Sequence, residues 1–222
     1  MTKESGEASQ ELAFTIEDWL EFVPSILMAV AVVLTAYSAY ESARWGGVQA
    51  TDFATASSLR IEASAATTVG VTQMSYDAGT FGQLALEFRD TDFSDPVQLE
   101  QASQLANSLM RDEFKVYFEE WVALDPSNND EAPGTPFDLP GFSNDKIEDA
   151  ERLTAAAEVS LNEAKDANQT SDDYILATIF FASVLFFTGL RMRNVRVRSF
   201  VTVLAAFALV SGIVRISTLP FQ

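Results

Sequence analysis

The chain is predicted to be all-α: three transmembrane helices, with an extracytoplasmic antiparallel helical bundle or stalk inserted between the first and second spans. Three observations carry this. Residues 22–40, 174–190 and 199–214 are apolar stretches without a charge. Four arginines, Arg191, Arg193, Arg196 and Arg198, crowd the eight residues between the last two stretches. The long segment between the first two carries apolar residues every three or four positions, the spacing of a helix face.

Length sets which stretches can span. Residues 22–40 number 19, enough for a helix to cross a hydrocarbon core of ~30 Å at ~1.5 Å per residue. The second stretch has 17 residues and the third 16 before Arg215, whose stem must reach toward the far interface if the helix is to cross. The arginine loop then orients the whole chain, because Lys and Arg in short loops stay on the cytoplasmic side. It follows that residues 1–21 form an acidic cytoplasmic tail, 22–43 the first span, 44–172 an extracytoplasmic helical domain, 173–190 the second span, 191–198 a cytoplasmic loop and 199–217 the third span. The expected location is the plasma membrane, with the lipid bilayer as the first partner.

Taken in order, the elements justify themselves as follows. Leu12, Ile16, Trp19, Leu20 and Val23 fall at helical spacing among acids, so an amphipathic helix is expected before the span. Its polar face is acidic where a lipid-binding helix is basic, which suits a protein partner better. The leader is also too acidic for a signal peptide, whose first region is basic, so an uncleaved anchor is expected. Pro24 fits the first turn of the span. The pattern then runs through Glu41, Arg44 and Trp45 without a strong breaker except Gly46-Gly47, so the span is expected to continue as a long helix. Trp45 suits the aromatic belt at the membrane interface.

Beyond it, Phe53, Ala56, Leu59, Ala63, Ala66 and Gly70 make a seam of mostly small side chains, along which a second helix can approach closely. Asp95 or Ser94 followed by Pro96 reads as a helix start. An apolar stripe from Leu99 to Trp121 predicts one helix to about Leu124. Residues 125–143 hold Pro126, Pro133, Pro136 and Pro140 and are expected to form an extended connection that climbs back along the stalk. Ile147, Ala150, Leu153, Ala157, Leu161 and Ala164 mark a returning helix that enters the second span near Tyr174. A turn at Asp77-Ala78-Gly79-Thr80 would give four outer helices; Phe81, Leu84, Ala85 and Phe88 continue the helical spacing and favour three.

Composition narrows function. The chain has no cysteine and no histidine, which removes disulfides, thiolate nucleophiles, zinc fingers and a Ser-His-Asp triad. Its net charge is −18, and residues 44–172 hold 24 acids and 8 bases, a net −16. Such a surface repels nucleic acid and anionic lipid, so no nucleic-acid partner is expected. It suits a high-salt habitat, in which screening removes self-repulsion, and the chain has only four lysines. Asp90 to Asp95 starts like an EF-hand but has Asp95 where glycine is needed and Gln101 where glutamate should close the loop. Asp125 to Glu131 reads as an acidic turn. No P-loop, GxGxxG or HExxH pattern occurs.

Residues 38–50 (SAYESARWGGVQA), 118–126 (FEEWVALDP) and 171–178 (SDDYILAT) resemble an uncharacterised family of prokaryotic integral membrane proteins, a likeness covering most of the chain after about Pro24. The resemblance implies the three-span topology and brings no activity, ligand or catalytic residue; the acidic, lysine-poor composition suggests a halophilic version.

The functional expectation is a non-enzymatic membrane protein whose outer helical stalk serves assembly, interaction or sensing, alone, as a homo-oligomer or with another membrane protein. The alternative is a subunit of an oligomeric cation channel or transporter with an acidic outer domain. No catalytic residue, cofactor or metal site is expected. The residues singled out are topological: Glu41, Arg44, Trp45, Asp172, Asp173 and Arg215, expected at one membrane boundary with Arg44 and Arg215 pairing to the acids, and Arg191, Arg193, Arg196 and Arg198 at the other.

Overall fold

The structure, a computed structural model, describes residues 16–89, 91, 95–126, 129–190 and 192–221. It is all-helical, with five α-helices and no strand among the described residues: α1 Ile16–Phe88, α2 Pro96–Leu109, α3 Asp112–Ala123, α4 Asp145–Gly189 and α5 Val195–Ser217, plus a 3-10 turn at Pro136–Asp138. Three of the helices, α1, α4 and α5, are long and apolar enough to cross a membrane. Only 11% of the most apolar stretch of α1, and 22% of those of α4 and α5, is buried by the chain itself. Side chains such as Val33, Phe186, Phe207 and Val210 face outward, as lipid-facing residues would.

The chain divides into two compact units, one built from Met1–Ala54 with Ser160–Gln222, the other from Thr55–Val159. In the first, Ala31 of α1, Ala177, Phe181 and Val184 of α4, and Ala205, Ala208 and Leu209 of α5 form one buried cluster. Small residues bring the helix axes together where lipid supplies no hydrophobic drive. A Cβ added at Gly212 would lie 2.5 Å from Cε1 of the fully buried Phe181, so this crossing requires glycine.

In the second unit, α1 and α4 run antiparallel: Gln73 meets Asn144 and Gly70 meets Ile147, each step up one helix matching a step down the other. Buried residues of α1 recur here every seven, at Ala56, Ala63, Gly70, Asp77 and Leu84, with Thr80 buried between the last two. Leu59, Ala66 and Gln73, three residues further on in each heptad, are half-buried, and on α4 Ala150 and Ala157 are buried with the same seven-residue step. This is a heptad seam, the pattern of a left-handed helix pair, with small residues at its centre. The seam expected from the sequence is therefore present, except that Phe53 is exposed. α1 passes unbroken through Gly46-Gly47 and through Gly79, so no turn forms at Asp77–Thr80. Asp77, Thr80 and Leu84 are all buried on one face, which a turn there would scatter.

Four expectations need correction. First, the stripe from Leu99 to Trp121 is two helices. Met110 (ψ 142°) and Arg111 (ψ 145°) are extended, and α3 starts afresh at Asp112. The break lets Met110 and Phe114 join Leu84 in one core while Arg111 turns to Asp77. Second, 125–143 is compact. Trp121 donates to the Pro133 carbonyl at 2.7 Å, and the Asp138 carboxylate accepts from the N–H and hydroxyl of Thr135. Phe137 stacks on Phe114 at 4.9 Å, and Phe142 packs edge-on to Phe137. Burying these rings outweighs an extended path along the stalk. α2 and α3 thus pack on residues 76–88 of α1 as a cap, and the α1–α4 seam of this unit is a helix pair where a three-helix stalk was expected. Third, Pro24 lies inside α1, which starts at Ile16, so the carbonyl of Leu20 receives no hydrogen bond from it. Of the residues expected to form the amphipathic helix, Leu12 lies outside those described, and Ile16, Trp19, Leu20 and Val23 belong to α1. Fourth, the arginine loop is shorter than 191–198. Asn194 caps α5, its side-chain oxygen accepting from the Arg196 N–H at 3.0 Å, so Arg196 and Arg198 lie in the first turn.

The start of α2 is as read: Asp95 caps it, accepting from the Val97 N–H at 2.9 Å, with Pro96 at the first helical position. Ser94 lies outside the described residues.

Candidate functional site

Each unit holds one polar centre. In the first unit, α1 turns Ser38, Glu41 and Ser42 inward, spacings of three and four that share a helix face. Glu41 is 3% exposed and Ser38 fully buried. Facing them, the Ser171 hydroxyl of α4 donates to the Ser42 carbonyl at 3.0 Å and shares a second hydrogen bond with the Ser42 hydroxyl. Tyr174 of α4 packs edge-on against Tyr37 at 6.4 Å. Two donors converge on one carbonyl just beyond α5: the Tyr174 hydroxyl reaches Pro220 O at 3.0 Å and the Trp45 indole N–H reaches it at 3.2 Å. Among the described residues, Ser38 Oγ is the one buried side-chain polar atom without a hydrogen-bond partner.

The boundary residues named from the sequence meet in part. Arg215 of α5 forms an ion pair with Asp173 of α4, one of the pairings expected. Arg44 lies over the ring of Tyr40, 5.8 Å from its centroid, and Asp172 is exposed and accepts from Asn168. Trp45 is tied to Pro220 as above. Arg193 and Arg196 are exposed and Arg198 half-buried, while Arg191 lies outside the described residues.

The second unit holds a centre that sequence reasoning missed. Asp77, 2% exposed on α1, takes two parallel hydrogen bonds from Arg111, from Nε at 3.0 Å and from Nη2 at 2.8 Å. Nη1 of Arg111 reaches Glu113 at 3.2 Å. The fork geometry of guanidinium on carboxylate fixes both groups. Hydrogen bonding to the Asp77 carboxylate, opposed by burial, holds Arg111 above its ordinary pKa. Beside the pair opens a cavity of about 110 Å³, with Phe114 and Phe142 as apolar walls and Gln73, Tyr117 and Lys146 among its polar lining. Tyr117 shares a hydrogen bond with Ser143 at 3.3 Å. Asn144 caps α4, accepting from the Lys146 N–H at 3.0 Å while its amide donates to Gln73. The signal that marked this centre was a lone arginine inside an apolar stripe of an acidic domain.

The turn after α3 is built by amides: Asn129 donates to the Leu124 carbonyl and accepts from the Glu131 N–H, with Asp125 at φ 50°. Ser127 and Asn128 lie outside the described residues. No group of three His, Cys, Asp or Glu side chains suited to a metal ion occurs among the described residues.

No family model matches this chain, and neither a curated protein nor a solved structure is significantly similar to it.

Proposed function

We propose that the chain is a multi-pass plasma-membrane protein that keeps its N-terminus and arginine loop in the cytoplasm, presents the Thr55–Val159 unit outside, and uses that unit without catalysis. Sensing, with assembly into a homo-oligomer or with another membrane protein, is the role that fits. The observation that carries the reading is the basic cluster where α4 gives way to α5, with Arg193 in the short connection and Arg196 and Arg198 in the first turn of α5. Basic residues in so short a connection hold it on the cytoplasmic side. α1 and α4 each continue as one helix from the apolar stretch into the outer unit, so a change of state in one part has an unbroken hydrogen-bonded path to the other. The acidic composition supports a high-salt setting.

A second reading, a cation-conducting or transporting subunit, draws on Glu41. A buried carboxylate in a span beside the unpartnered Ser38 hydroxyl is a feature that ion pathways use. Purified protein in liposomes separates the two readings. The sensing role predicts no cation flux above protein-free vesicles; flux abolished by Glu41→Gln establishes the second.

A further inference from the structure

We propose that the cavity beside Asp77 and Arg111 binds a small zwitterion of the amino-acid type, a molecule carrying a carboxylate and an ammonium a few ångströms apart. The inference rests on the sensing role and supplies its ligand.

The donors come first. A guanidinium has five N–H groups. Arg111 commits one from Nε and one from Nη2 to Asp77 and one from Nη1 to Glu113, which leaves two for a ligand. Lys146 contributes an ammonium whose acidic neighbour, Asp149, is 3.7 Å away. Gln73, whose amide oxygen already accepts from Asn144, offers its N–H groups. These cations and amides are the complement of a carboxylate.

The acceptors lie on the same rim. Glu113 is 70% exposed and turns Oε2 to Arg111, keeping Oε1 for another donor; Asp145, also on the rim, begins α4. They complement an ammonium. Asp77 is neutralised by its fork with Arg111, and two cations stand against three acids in the lining. A free anion would have to enter a unit of strongly negative net charge, and a free cation would leave Lys146 and the remaining Arg111 donors without an acceptor. A zwitterion carries no net charge into that field and satisfies both sets.

Size limits the ligand further. A cavity of about 110 Å³ holds several waters, each of which needs ~10–15 Å³ on the same measure. The Phe114 and Phe142 walls leave a short apolar side chain a place to pack. Glycine, alanine and serine fit this description.

The test uses the purified full chain in detergent, titrated calorimetrically with glycine, L-alanine and L-serine, and with acetate and methylamine as the two half-ligands. The expected result is saturable binding of at least one zwitterion and a matching rise in melting temperature. Each half-ligand should bind more weakly by about tenfold or more, the loss of one charge-assisted contact. Lys146→Ala should weaken the zwitterion by a similar factor while leaving the unliganded melting temperature unchanged, since Lys146 is half-exposed and its ion pair is long. Absence of saturable binding up to millimolar concentrations overturns the proposal. So does binding indifferent to Lys146→Ala, or acetate or methylamine binding as tightly as the zwitterions, which would make this a plain anion or cation site. Binding in micelles is blind to orientation, so its failure leaves the topology standing, and a reversed topology leaves the binding result standing.

Discussion

Arg111 grips Asp77 across 34 residues of sequence, and this fork ties the junction of α2 and α3 to α1. Asp77 is 2% exposed, so removing its partner strands a buried carboxylate. Arg111→Ala should cost ~3–5 kcal/mol. Asp77→Asn with Arg111→Ala should lose less than the sum of the two single changes, by ~1–3 kcal/mol. Denaturant melts of the four proteins in detergent check this; strict additivity would mean that the fork contributes no coupling. Because Arg111's pKa is raised, its contribution is complete below the ordinary arginine value and is lost only above it. The arginine side of the pair therefore adds no pH dependence near neutrality.

Two glycines on α1 should answer oppositely to the same change. A Cβ at Gly70 would sit 2.7 Å from Cδ1 and 2.9 Å from Cγ1 of Ile147, whereas one at Gly79 meets nothing within 4 Å. Gly79→Ala should stabilise by ~1 kcal/mol through helix propensity alone. Gly70→Ala gains the same propensity but incurs ~1–3 kcal/mol of overpacking, so it should fall below Gly79→Ala by roughly that amount. Equal melting temperatures for the two would remove the close α1–α4 approach.

Arg215 and Asp173 are 38% and 22% exposed, so their pair is partly wet. Arg215→Ala should cost only ~1 kcal/mol. Gly212→Ala, one turn earlier on α5, should cost more, ~1–3 kcal/mol, because the fully buried Phe181 ring has no free space to move into. Thermal unfolding in detergent ranks the two, and the reverse order would contradict the packing described.

Salt should stabilise the whole protein. A chain of net charge −18 repels itself when counterions are scarce, and the Debye length shrinks from ~10 Å at 0.1 M salt to ~3 Å at 1 M. The melting temperature should rise as KCl increases over that range. A flat or falling response would remove the high-salt reading.

What the sequence made legible is what local pattern controls. The spans follow from length and hydropathy, the continuity of α1 through Gly79 from the spacing of Phe81, Leu84 and Phe88, and the start of α2 from Asp95-Pro96. What stayed hidden depends on partners distant in sequence. The break at Met110–Arg111 contains neither glycine nor proline, and its cause is a carboxylate on another helix. The compaction of 125–143 depends on Phe137 and Phe142 finding Phe114, while its prolines alone suggested extension. Ser42 and Ser171 meet across 129 residues with no motif to announce them. The Asn194 cap was available to a reader of helix starts, but the four arginines marked 191–198 as one short cytoplasmic loop.

The orientation proposed for the Thr55–Val159 unit is directly measurable, because the chain has no native cysteine. Ser103→Cys on α2 and Met192→Cys between α4 and α5 both place a thiol at an exposed position. A membrane-impermeant maleimide applied to intact cells should label Ser103→Cys at once and Met192→Cys only after the membrane is opened. Labelling of Met192→Cys on intact cells with Ser103→Cys protected would put the Thr55–Val159 unit inside and contradict the account.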